Sequence, residues 1–285
     1  MDPLLVVTAD DVGLHAGMTD GALAAYDDGI VTTCSVVAGG PDLERAAREL
    51  RARPGLEVGL HFALAGAPLV SPAAEVRTLA PGGQPLADHR AFLVRLATGR
   101  IDLADVEREL RRQIARALDA GIPVTHLDGH QHLHVVPGVV HVVARVAREH
   151  RIAYVRVPLE RVPPHGARGL AVWGLGQLAR RARRTLRAAG IATNDTAIGL
   201  AHAGHLTPAR LRQALSRLDG TTELVAHPGV GNARIARSHD WGYDWDGERE
   251  TLSAAGLREE ILGLGIALAG TSEIARRARG ALPAG

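Results

Sequence analysis

The chain has 285 residues, 46% of them hydrophobic, enough for one sizeable core or at most two modest domains. Lys and Arg number 33 against 31 Asp and Glu, so charge alone implies no nucleic-acid partner. The single cysteine, Cys34, excludes an internal disulfide framework and a Cys-rich zinc site, and it fits a reducing cytoplasm; Met1-Asp2-Pro3 carries no basic region, and no run of about 18 apolar residues occurs, so neither secretion nor membrane spanning is expected.

Leu4-Leu5-Val6-Val7-Thr8-Ala9 reads as a strand buried on both faces, followed by a helix over 15–28 that ends at Gly29 and a second strand at Val31 to Val37. Cys34 falls mid-strand and reads as a small core residue. Pro41 opens a helix to about Ala52, and Glu57 to Phe62 is a third strand. Residues 66–100 hold several Pro and Gly with little periodicity, which predicts a long excursion over the face of the domain, suited to contacting substrate. From Asp102 a helical spacing of Val106, Leu110, Ile114 and Leu118 runs to Gly121, ahead of a strand from Ile122 to Asp128. A helix from Pro137 to His150, a strand at Ala153 to Val157 and an Arg-rich helix within Leu170 to Ala189 follow. Short apolar runs at 197–201, 223–226 and 265–269 complete eight strand candidates interleaved with helices. That alternation predicts a parallel α/β fold, a distorted (β/α) barrel of one domain over 1–280 with a frayed tail at 281–285; a doubly wound open sheet is the competing topology.

In either architecture functional groups collect at the carboxyl ends of the strands. Asp10-Asp11 leaves the first strand, His61 the third, the segment His126 to His134 the fourth, and His227-Pro228-Gly229 the seventh. Two imidazoles and a carboxylate converging there would make a divalent-metal site with open positions, and a second carboxylate could take a proton from water. Each piece also has a structural reading: an acid capping the next helix, or a hydrogen-bonded core histidine. The segment His126-Leu127-Asp128-Gly129-His130-Gln131-His132-Leu133-His134 resists that reading, because four imidazoles and a carboxylate are costly to bury without partners. His126 and Asp128 share a strand face, so Asp128 could orient a neighbouring imidazole; His130 and His134 have the spacing of a helical zinc pair, but Pro137 argues that the helix starts after them. No phosphate-cradling Gly-rich loop or Gly-x-Ser-x-Gly elbow occurs. The run Arg180-Arg181-Ala182-Arg183-Arg184 reads as a solvated helix face, with an anionic partner or membrane surface as the alternative.

In family order, Thr-Ala-Asp-Asp-Val-Gly at 8–13, Val-Gly-Leu-His at 58–61, Thr-His-Leu-Asp-Gly-His-Gln-His-Leu-His at 125–134, Arg-Val-Pro at 156–158 and Glu-Leu-Val-Ala-His-Pro-Gly at 223–229 resemble the YdjC-like carbohydrate deacetylases. The resemblance implies a distorted barrel related to polysaccharide deacetylases, with one divalent metal, Mg2+ or Zn2+, on Asp11, His61 and His130. It implies Asp10 as general base, His227 as general acid or transition-state contact, and Arg156 orienting the catalytic aspartate. Asp128, His126, His132 and His134 are then expected around the metal ligands or against substrate. Val12 departs from the Phe or Tyr frequent after the two acids, which touches the pocket wall more than the chemistry. Residues 180–204, with Thr193-Asn194-Asp195 and Gly199-Leu200, look closer to members acting on a hopanoid-type glycolipid than to chitooligosaccharide deacetylases, and Arg-rich surface near Val172, Trp173 and Leu175 would suit peripheral membrane contact. The expected activity is cytoplasmic hydrolysis of an N-acetyl group on an amino sugar, by a homodimer that binds saccharide or glycolipid and no nucleic acid. The alternatives are a metal-dependent hydrolase of a phosphoester or glycosidic bond on the same barrel, and a non-catalytic sugar- or metal-binding module.

Overall fold

The computed structural model describes residues 2–161 and 165–280; the tail expected to fray, 281–285, lies outside the described residues. Eight strands occur: β1 (Leu4–Val12), β2 (Thr33–Val36), β3 (Glu57–Phe62), β4 (His126–Gly129), β5 (Tyr154–Val155), β6 (Thr196–Ile198), β7 (Thr221–Ala226) and β8 (Ala267–Leu268). The helices are α1 (Ala16–Asp27), α2 (Leu43–Arg51), α3 (His89–Ala97), α4 (Leu103–Asp119), α5 (Val139–Glu149), α6 (Gly166–Ala188), α7 (Pro208–Leu215), α8 (Asn232–Ala236), α9 (Trp245–Leu252), α10 (Leu257–Gly263) and α11 (Thr271–Gly280). No helix among the described residues is long and apolar enough to cross a membrane.

All strand pairs are parallel, in the order β5-β4-β3-β2-β1-β7-β6. The order is cyclic in sequence, as a barrel requires, and the gap between β5 and β6 is bridged without a regular ladder. Val155 donates to the Ala192 carbonyl and Ala197 to that of Leu159, while the Asn194 side chain accepts from Val157 N–H and donates to the Val157 and Thr196 carbonyls. β8 is not an eighth stave: it pairs with Leu4 and Leu5 on the β1 edge that β2 takes over further along. β4 is also shorter than expected, because Pro123 lacks the N–H a ladder needs; the strand starts at His126. The excursion over 66–100 is not structureless. It carries α3, capped by the Asp88 side chain, and is tied to α4 where Glu109 accepts from Val70 and Ser71 N–H and Asp105 from Thr78.

Side chains alternate along β1, so Leu5, Val7 and Ala9 pack in the large core beneath the helices, whereas Leu4, Val6, Thr8 and Asp10 face the barrel interior. That inner face is graded. Leu4 and Val6 close the foot with Tyr154, Ile274 and Ala275, the last two from α11, while from Thr8 upward the interior turns polar, with Thr8 bonded to Thr33 and to Glu223. An apolar foot and a polar mouth place the chemistry at the carboxyl ends of the strands.

Candidate active site

Two consecutive strand residues ordinarily point to opposite faces, yet Asp10 and Asp11 are both buried at the mouth. The strand runs through the acidic pair to Val12, but its register against β2 shifts between Ala9 and Val12, and Asp11 adopts φ 65°. This is a bulge with its irregular residue in the left-handed region, where Asp is among the few non-glycine residues tolerated. It turns the Asp11 carboxylate towards the interior that Asp10 already faces.

Asp11 Oδ1 lies 2.9 Å from His130 Nδ1 and 3.4 Å from His61 Nε2. Bonds of about 2.0–2.2 Å to one ion place neighbouring donors roughly 3–3.5 Å apart, so Asp11 stands at ligand spacing from both imidazoles, and the three side chains have donor atoms within 4.8 Å of one another. The imidazole and carboxylate donors suit a borderline or hard divalent cation. Burial works against ionisation of Asp11, but His130 outweighs it by charge and hydrogen bond and pulls the carboxyl down to about 2. For His61 burial disfavours the cation, yet Asp128 and Asp10 overcome it and push the imidazole up to about 9. Metal binding there must displace a proton.

The tautomer of His61 is set from behind. Its Nδ1 donates to Asp128 Oδ1 at 2.6 Å, with Ser35 Oγ 3.1 Å away, which turns Nε2 towards Asp11. His130 is held differently, by a 310 turn at His130–Val135 in which Gln131 and His132 both take positive φ. The Gln131 side chain anchors that strained turn, its Oε1 accepting from His89 N–H at the start of α3, and Gly66 leaves room for its Nε2: a Cβ there would stand 2.3 Å from that nitrogen.

Asp10 is engaged elsewhere. The wholly buried Arg156 donates Nη1 to Asp10 Oδ2 at 2.7 Å and Nη2 to Oδ1 at 2.8 Å, and Ser35 Oγ donates to Oδ1 at 3.1 Å. The same guanidinium lies 2.7 Å from Asp128 Oδ2 and donates Nε to Glu223 Oε1 at 2.9 Å, while Tyr154 donates to the other Glu223 oxygen. Burial alone would raise Asp10, but Arg156, with His61 and His227, overrides it and holds the carboxyl far below the usual carboxylate range. Asp128 is lowered by the same contest between burial and Arg156. Asp10, His61 and Asp128 also lie close enough to hold a cation. In that second group, however, His61 Nδ1 is committed to Asp128 and Arg156 already supplies the positive charge.

His227 directly follows β7. Its N–H donates to Glu248 Oε2 at 2.6 Å, its ring centroid is 5.1 Å from that of Tyr243, and its Nδ1 is buried without a hydrogen-bond partner, 4.0 Å from Glu248 Oε2. The remaining histidines divide. His134 Nε2 is bonded to the Arg156 carbonyl, and burial pushes its imidazole down to about 4; His132, beside it, is pushed down by burial to about 3. His126 does not leave β4 but begins it, two residues and about 6.6 Å before Asp128. It bonds Thr125 and Thr271 near the foot, apart from the ligand cluster. The imidazole that Asp128 contacts is that of His61 on the neighbouring strand. Sequence reasoning missed Ser35, Glu223, Tyr154 and Glu248, although a glutamate inside the apolar run of β7 was a usable signal. It also missed Trp241 and Tyr243, which line the mouth beside His130 and His227.

Known proteins resemble this chain over most of its length. The model of the family described as YdjC-like protein matches residues 4–262. A carbohydrate deacetylase of Homo sapiens is 33% identical over 95% of this chain and 90% of its own length, and a chitooligosaccharide deacetylase of Klebsiella pneumoniae is 30% identical over 94% and 98%. Among solved structures, one described as a cellobiose-phosphate cleavage protein from Enterococcus faecalis superposes with a TM-score of 0.72 at 20% identity, covering 96% of this chain and 99% of that one, which speaks for the fold. A family match over most of the chain, with relatives aligned from end to end, shows that the chain belongs to the YdjC-like family.

Proposed function

We propose that the chain is a metal-dependent N-deacetylase that hydrolyses the acetamido group of an N-acetylated amino sugar to acetate and a free amine. The observation that carries this reading is the division of two adjacent carboxylates: Asp11 faces two imidazoles at ligand spacing, while both oxygens of Asp10 are occupied by Arg156. A divalent ion held by Asp11, His61 and His130 would polarise the amide carbonyl and lower the pKa of water. Two imidazoles favour zinc by ligand softness, whereas the family resemblance favours magnesium.

Asp10 is the general base, taking the proton of the attacking water. Arg156 keeps it ionised and fixes its plane; Ser35 adds a third donor. Asp128 positions His61. His227, across the mouth, protonates the departing amine or contacts the developing oxyanion, and Glu248 fixes its backbone. The substrate class is a saccharide, and lipid attachment with peripheral membrane contact is favoured by α6, which exposes Leu170 and Trp173 ahead of its Arg run. The buried Cys34 fits a cytoplasmic setting.

The test is acetate release from a panel of N-acetylated oligosaccharides and glycolipids, before and after chelation, with Zn2+ or Mg2+ added back. Release that chelator abolishes and one metal restores is expected. Release that is indifferent to chelator, or absent from every N-acetyl substrate, would overturn the reading.

A further inference from the structure

The chain holds only three Trp, three Tyr and two Phe, yet Trp241, Tyr243 and Trp245 crowd into five residues. The segment joins α8 to α9 and lies across the mouth. Trp245 is its anchor, buried with Leu14, Met18, Val37 and Ile235 in a small apolar cluster above the barrel. Trp241 and Tyr243 are only partly buried, between the exposed Asp240, Gly242 and Asp244. The Trp241 ring centroid is 5.6 Å from that of the candidate ligand His130 and 5.6 Å from Tyr243, and Tyr243 is 5.1 Å from His227. The two rings therefore span the distance from the ligand cluster to the proposed acid.

Their placement is built in. Gly204, at φ +75°, underlies Tyr243, and a Cβ there would come within 2.1 Å of the ring; the Gly204 carbonyl accepts from Asp244 N–H. Core packing would bury both rings completely. Partly exposed aromatic rings at the mouth suit a ligand with one flat apolar side, and a pyranose is such a ligand: axial C–H groups on its faces, hydroxyls around its rim.

We infer that Trp241 and Tyr243 form the platform for the sugar ring that carries the acetamido group, Trp241 setting which face is offered to Asp10 and His227. The inference rests on the deacetylase reading and names the residues that select a sugar over any other acetylated compound. Trp241→Ala and Trp241→Phe are compared with wild type for metal content, for KM and kcat on an N-acetylglucosamine oligomer, for hydrolysis of ethyl acetate, and for calorimetric binding of the oligomer by the metal-loaded proteins. A sugar face buried on indole predicts KM and the dissociation constant raised roughly tenfold in Trp241→Ala, kcat changed far less, and most of the loss recovered by Phe. The ratio of oligomer to ethyl acetate turnover should fall by a similar factor. Unchanged KM and binding at full metal content would overturn the platform, as would equal losses on oligomer and ester, which would mark Trp241 as a support for His130. Wild type that binds the oligomer through Trp241 but releases no acetate would overturn the deacetylase reading and leave the platform standing.

Discussion

Arg156→Met removes the cation at the centre of the buried network. In the wild type, Arg156 lies within 2.7–2.9 Å of oxygens from Asp10, Asp128 and Glu223 and has no solvent exposure. At an effective dielectric of about 20, each pair with charge centres about 4 Å apart is worth about 4 kcal/mol before desolvation is counted. Most of that is offset by taking the ions out of water, and breaking such a cluster costs a net 3–5 kcal/mol or so. Against a typical stability of about 5–15 kcal/mol, this is a drop in the urea midpoint that circular dichroism reads directly. The same change acts on the base. With the guanidinium gone, the largest of the charges that offset burial is lost and only His61 and His227 remain, so the Asp10 carboxyl rises, and an acidic limb absent from the wild type should enter the pH profile of kcat/KM. Arg156→Lys keeps the charge without the paired N–H groups, so it should fold, show no such limb, and lose kcat through a misaligned base. An Arg156→Met protein with the wild-type midpoint and no acidic limb would refute this account.

Three further outcomes are expected. Asp10→Asn should keep full metal stoichiometry by elemental analysis while turnover falls roughly 10²–10⁴-fold, the usual worth of a general base; loss of the metal would show instead that Asp10 is a ligand. His61→Ala and His130→Ala should each lower bound metal below one ion per chain, and unchanged stoichiometry would remove that residue from the ligand set. In the metal-free protein His61 is raised from 6.5 to about 9, so its stabilising contribution is complete below pH 6.5 and lost as pH rises through 9. Metal affinity, measured by competition with a chromophoric chelator, should climb about tenfold per pH unit from 7 to near 9 and then level off; a flat profile would contradict a protonated His61.

The parts of this site that follow from local pattern were legible. An acidic pair ending an apolar run, and single histidines ending others, located the rim, because a parallel sheet puts its chemistry there whatever its size. What depends on tertiary pairing was not. The two residues of β8 carry no mark of which strand they join, and α3 escaped notice because only Phe92 is buried on it, leaving no apolar stripe to read. Ser35 and Tyr154 are ordinary strand residues until the barrel closes and brings them to Asp10 and Glu223. The aromatic segment at 241–245 follows no metal or nucleophile motif, so only its position across the mouth gives it meaning.

The proposed division of adjacent acids into ligand and base rests on one local bend of the backbone. Without the bulge, alternation would send Asp11 outward among the helices, where a buried carboxylate has no partner. The same regular strand would leave Asp10 alone in the interior, with Arg156 and no carboxylate neighbour. The left-handed turn at Asp11 costs about 1–2 kcal/mol for an ordinary side chain and less for Asp, and flanking hydrogen bonds hold it: Leu14 N–H to the Asp11 carbonyl, and Val37 N–H to that of Val12. The bulge thus presents two carboxylates to one cavity from consecutive residues, and the cations around them separate their roles. Asp10 meets a fork of guanidinium N–H groups that cannot be deprotonated at working pH and stays ionised in a fixed plane, as the proposed base must. Asp11 meets only imidazoles, whose protons a metal ion would displace into solvent. A guanidinium on one acid and exchangeable imidazoles on the other is the arrangement that keeps ligand and base distinct at a separation of one residue.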